Sequence, residues 1–198
     1  MKKCFSLNSY SPKAYVEVRD YLCNKLTKLI KENRDIIFIC VGTDRSTGDS
    51  LGPLVGYKLK FVSRKNIHIY GSLENPIHSN NVKETLKKIN DNFTNPYIIG
   101  IDACLGDIHN IGKVFIQNRP LQPGLAMNKD LPAIGDMSIT GVVNIAGNLE
   151  FMVLQNTRLC TVMSLADCIS NGIFHFILKS LGNNTKYLNN SLDSIKYL

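Results

Sequence analysis

Apolar residues Tyr15, Val18, Leu22, Leu26 and Leu29 return every three or four positions, which places them on one face of a helix over residues 12–31. The pattern then changes. Residues 36–41 read Ile-Ile-Phe-Ile-Cys-Val with no polar alternation, as expected of a strand covered on both faces. Gly52-Pro53 opens a second helical stretch carrying Leu54, Val55, Tyr57, Leu59 and Phe61. Proline suits a first helical turn, because its missing N–H would have no partner there. Further along, the pattern predicts a strand at 67–70, a helix at 81–90, and strands at 97–103 and 112–118. A helix near 144–155, a strand at 159–165 and a helix at 166–181 complete the series.

Strand and helix alternate through most of the chain, which predicts an α/β fold of three αβα layers around a mostly parallel, doubly wound sheet. At 198 residues the chain reads as one domain: a leading helical segment at 12–33, a core at 36–181 and a polar, Asn-rich, loosely held tail at 182–198. Residues 120–140 are rich in Gly, Pro and polar side chains and form the longest irregular stretch, a place where compact chains keep function.

Composition narrows the function classes. A hydrophobic share of 44% against 20% charged residues is that of a soluble globular protein. Apolar runs such as 36–41 are too short to cross a bilayer, and residues 4–13 supply no apolar core for a signal peptide. A cytoplasmic protein with no membrane partner is expected. The net charge of +7 is spread along the chain without a block of five like charges, so nucleic acid is a minor expectation. Cys4, Cys23, Cys40, Cys104, Cys160 and Cys168 form no Cys-x-x-Cys pair and read as reduced structural residues. Cys104 stands closest to candidate chemistry, two residues beyond Asp102.

Two aspartates carry that chemistry. Asp49 lies in the loop after the 36–41 strand, and Asp102 follows Ile98-Ile99-Gly100-Ile101, where the chain is expected to leave the sheet. Ligands of open α/β sheets bind at the carboxyl ends of the strands. In a flavodoxin-like order the first and third of the predicted strands are neighbours, about 4.8 Å apart, so the two carboxylates can converge. Like charges so close favour one shared proton and one raised pKa. One member can then activate water while the other protonates a leaving amine. Asp49 precedes a helix start, whose dipole favours the ionised form, which leaves Asp102 as the protonated partner. The plainer account makes Asp49 a helix-capping residue and Asp44, Thr47 and Ser50 loop-ordering residues.

Ser138 and Thr140 can offer hydroxyls or backbone N–H groups to a carbonyl, or can form an ordinary turn. No Gly-x-Ser-x-Gly elbow is present, which disfavours a serine nucleophile. Of His68, His78, His109 and His175, only His109 falls near Asp102 in sequence, so no metal and no cofactor are expected.

The segments Val41-Gly42-Thr43 through Gly48-Asp49-Ser50-Leu51-Gly52-Pro53, Ile99-Gly100-Ile101-Asp102-Ala103 and Ile134-Gly135-Asp136-Met137-Ser138-Ile139-Thr140-Gly141 together resemble the spore germination protease. The shorter length and the run Gly106-Asp107-Ile108 to Gly112-Lys113-Val114 resemble more closely the YyaC-type sporulation proteins, small relatives of that protease. The resemblance spans 36–181. It implies the phosphorylase/hydrolase-like α/β fold that the hydrogenase-maturation endopeptidases share. It also implies acid-based hydrolysis of small acid-soluble spore proteins, with Asp49 and Asp102 at the catalytic positions. Thr43, Asp44, Gly48, Asp136, Ser138 and Thr140 flank them in the matching motifs and are expected to contact a protein or peptide substrate. The chain departs from the protease in lacking its long N-terminal part. Two alternatives stay open: a non-catalytic sporulation binding protein that keeps the fold, and a metal-dependent maturation endopeptidase. Pairing of copies through helices is also expected.

Overall fold

The computed structural model describes residues 4–62, 64–123 and 131–180; the predicted tail at 182–198 lies outside them. The centre is a six-stranded sheet of β1 (Phe5–Asn8), β2 (Ile36–Cys40), β3 (Ile67–Tyr70), β4 (Tyr97–Gly106), β5 (Lys113–Gln117) and β6 (Met137–Ile145). Their order across the sheet is β1-β5-β6-β4-β2-β3. β3, β2, β4 and β6 run parallel, and β5 and β1 are antiparallel additions at one side. The chain leaves β2 toward β3 and returns to β4 on β2's other flank, so β2 and β4 bracket the switch point. The three-layer, mostly parallel doubly wound architecture expected from the sequence is the observed one.

All five residues of β2 are fully buried, which explains the unalternated apolar run. Ile36, Phe38 and Cys40 face α1 (Ala14–Lys31), α2 (Leu51–Leu59) and α5 (Leu159–Ser180). Ile37, Ile39 and Val41 face α3 (Val82–Asn92) through Val82 and Ile89. The repeat noticed in the first helix buries Val18, Leu22 and Leu26 completely. Each such side chain contributes about 1.5–3 kcal/mol on leaving water. α1 lies close along α5, where a Cβ on Gly172 would stand 2.5 Å from the Val18 side chain.

Three expectations need correction, and one strand was not expected. Residues 159–165 are not a strand; they form the first turns of α5, continuous to Ser180. The run Leu-Cys-Thr-Val-Met-Ser-Leu has strand-like composition, but the buried positions Val162, Leu165, Ala166, Ile169, Ile173 and Phe176 keep helical spacing throughout. The predicted helix at 144–155 is the end of β6 followed by the six-residue α4 (Glu150–Gln155). β1 is an edge strand that four residues of mixed polarity did not signal. Finally, α5 is long and apolar enough by composition to cross a bilayer; here 61% of that stretch is buried inside the protein.

Candidate active site

The motif around Asp49 folds as it does because two glycines permit close backbone approach. Past the end of β2, Val41 N–H still donates to the Ile101 carbonyl of β4 at 2.8 Å. Gly42 then turns with φ 137°, a region that L side chains rarely adopt. Its N–H donates to the Ile77 carbonyl at 2.8 Å, and a Cβ there would collide with the Asp49 carbonyl oxygen. Gly52 meets the Val41 backbone just as closely. Thr43 N–H closes the loop on the Asp49 carbonyl at 3.0 Å. Asp49 itself sits in a one-turn 3-10 helix, Gly48–Ser50, directly ahead of α2.

Asp102 is placed differently from the expectation. It is not a strand-end residue, since β4 continues to Gly106 alongside β6, with Asp102 opposite Thr140. It stands instead beside the point where β2 stops, so the neighbouring strand no longer covers it. The residue is only 8% exposed, and its Oδ1 accepts the Ala103 N–H at 2.8 Å. Burial, and then the charge of Asp49, push its carboxyl well above the ordinary carboxylate range. Asp49, half-buried, lines the same hollow of about 360 Å³.

That hollow also receives His78, which sequence reasoning passed over in favour of His109. A signal was available: 71–81 joins β3 to α3, so it leaves the sheet at the same carboxyl edge as the Asp49 loop. A parallel bridge between Val41 and Ile77 folds this connection over the end of β2. His109 is exposed in a separate 3-10 turn, Ile108–Asn110. His68 pairs with Asp35 at 3.0 Å, and His175 lies against Tyr15. Among the described residues no three His, Cys, Asp or Glu side chains are arranged to hold a metal ion.

The remaining expected residues divide into three groups. Thr43 and Asp44 line the hollow with both aspartates. Ser138, buried, and Thr140, half-buried, line a second hollow of about 550 Å³ over the β4–β6–β5 face, and Asp102 is the residue common to both hollows. Cys104 shares the second hollow; burial pushes its thiol up to about 11, with a hydrogen bond to Thr140 acting in the opposite direction. Gly48 and Asp136 are not brought to either hollow. Gly48 is buried under α4, where a Cβ would lie 2.8 Å from Leu154. Asp136 sits four β4 residues upstream of Asp102's level, about 13 Å along the strand. There its Oδ2 accepts the Ile98 N–H at 2.9 Å and its own N–H donates to the Ile98 carbonyl at 2.8 Å.

Fold and site thus define an α/β protein with two carboxyl groups, one buried, lining one hollow at the switch point of its sheet. The chain belongs to the DUF1256 family, described as a protein of unknown function, whose model matches residues 6–172. It is 41% identical over 182 residues to the protein of Bacillus subtilis (strain 168) described as uncharacterized protein YyaC, covering 92% of this chain and 85% of that one. Among solved structures it overlaps the [NiFe] hydrogenase maturation protease HycI from Thermococcus kodakarensis KOD1, with a TM-score of 0.46 and 14% identity, over 78% of this chain and 98% of that one. At that similarity no activity carries across.

Proposed function

We propose that this protein is an aspartate-dependent peptidase of sporulating cells that hydrolyses peptide bonds in a small spore protein or precursor. The observation that carries the reading is Asp102: a buried carboxyl, raised in proton affinity beside Asp49, opening on a hollow. A strongly shifted group in a cleft is a candidate functional residue. The resemblance of the three glycine-containing segments to the germination protease supports the choice of substrate.

In this mechanism ionised Asp49 takes a proton from water, whose oxygen attacks the peptide carbonyl carbon. Asp102 gives its proton to the leaving nitrogen as the C–N bond breaks, and proton exchange with solvent restores the pair. The divided roles follow from environment: the buried acid stays protonated, and the half-buried one at a helix start stays charged.

The test is incubation of the purified protein with acid-soluble protein from Bacillus spores, beside Asp102→Asn and Asp49→Asn. Discrete cleavage by the wild type alone supports the proposal; equal processing by all three sinks it. One observation favours a second reading, a non-catalytic binding protein. Phe151 of α4 lines the hollow and is more than half exposed, as are Leu149 just ahead of α4 and Met152 within it. That reading predicts partner binding unchanged in Asp49→Asn.

A further inference from the structure

His78 is held by three contacts whose combined effect is to fix its ring. Ile77 bridges to Val41 and accepts the Gly42 N–H, which ties the segment to the Asp49 loop. The His78 N–H donates to Asn81 Oδ1 at 2.8 Å, while Asn81 Nδ2 donates to the Pro76 carbonyl at 3.0 Å, so the turn is closed on itself just ahead of α3. The Asn80 N–H donates to His78 Nδ1 at 3.3 Å. A ring nitrogen that accepts a hydrogen bond carries no proton, so this contact favours the tautomer with its proton on Nε2. Among the described residues Nε2 has no hydrogen-bond partner, and the residue lines the hollow that contains both aspartates.

We infer that His78 is a third catalytic residue: its Nε2–H donates to the carbonyl oxygen of the scissile peptide and holds the negative charge that develops there on attack. This rests on the peptidase reading above and supplies what the two aspartates lack, since a carboxylate cannot stabilise an oxyanion. His78 transfers no proton. Water's proton goes to Asp49 and the leaving nitrogen's proton comes from Asp102, so the balance of the step is unchanged. A donor fixed before reaction stabilises such charge without reorganisation, and loss of one donor typically lowers kcat by about 10²–10³-fold.

The decisive variant is His78→Asn. An asparagine side-chain oxygen can accept the N–H two residues on, so the turn keeps its hydrogen bond while the donor at the Nε2 position is lost. On acid-soluble spore protein, His78→Asn and His78→Ala are expected to reduce kcat about 10²–10³-fold with KM within threefold of wild type. Imidazole ¹⁵N NMR of the wild type is expected to show the proton on Nε2. If Asp102→Asn abolishes cleavage while His78→Asn retains it within threefold, the inference is wrong and the peptidase reading stands. A proton on Nδ1 in the NMR spectrum also overturns the inference. If the wild type cleaves nothing, the peptidase reading fails and His78 loses its role with it.

Discussion

Asp102 is buried beside the end of β2 in the hollow that Asp49 lines, and its proton affinity is raised by that burial first and by the Asp49 charge second. The relationship has a cost in stability at neutral pH. In the unfolded chain Asp102 ionises near pH 3.9, whereas in the folded protein it holds its proton to higher pH. Between those two values the folded state binds more protons, so stability falls as pH rises, by about 1.4 kcal/mol per pH unit for this group, and levels off above the folded pKa.

Asp102→Asn removes that penalty. The asparagine oxygen can still accept the Ala103 N–H, so no hydrogen bond is lost. The variant is expected to melt higher than wild type at pH 7 and to match it below about pH 4. Thermal unfolding at both pH values checks this; an equal offset at the two would refute the assignment.

Catalysis should follow the same group. In the proposed mechanism Asp102 acts in its protonated form, which predicts that cleavage of acid-soluble spore protein declines as pH rises through its elevated pKa. A rate that climbs steadily to alkaline pH would instead place the essential proton elsewhere. The profile of kcat/KM between pH 4 and 9 gives the measurement.

Gly42→Ala should damage both fold and site. The φ of 137° is strained for alanine, and the new Cβ meets the Asp49 carbonyl. We expect a loss of about 1–3 kcal/mol, which for a domain of this size lowers Tm by about 2–4 °C per kcal/mol. Because the colliding oxygen belongs to Asp49, activity at 20 °C should fall further than the unfolded fraction accounts for.

The cysteines offer a test of the packing. Burial pushes Cys40 and Cys168 up to about 12 and Cys104 up to about 11, whereas Cys4 and Cys160 are exposed. Iodoacetamide at pH 7.5 should modify Cys4 and Cys160 first in the native protein, and all 6 after denaturation. Fast native labelling of Cys104, mapped by mass spectrometry, would mean that the second hollow is wetter than the fold indicates.

Local pattern and tertiary context contributed different things. The 3.6-residue repeat of α1 and the unbroken apolar run of β2 are local consequences of how much surface each element must bury, so both were legible in the chain. So was the pairing of β2 with β4, because right-handed crossovers leave few orders for such a series. The two aspartates followed from that pairing together with the glycine-rich segments around them. The start of α5 misled because a short apolar run has no decisive period when read alone.

The position of His78 was decided by a bridge between Val41 and Ile77, residues distant in sequence, and no periodicity reports such a contact. The separation of Asp136 from the site likewise depended on strand register, which ties it to Ile98 at the opposite end of β4. The sequence by itself determined the helix of α1, the doubly covered strand β2, the faces they bury and that Asp49 and Asp102 share a sheet edge. Only the tertiary structure decided that Asp102 lies within a strand rather than at its end, that it is buried, and that a histidine from a third loop completes the hollow. The physical reason is range: burial patterns are written in neighbouring residues, whereas the environment that sets a carboxyl's proton affinity is assembled from strands and loops far apart in the chain.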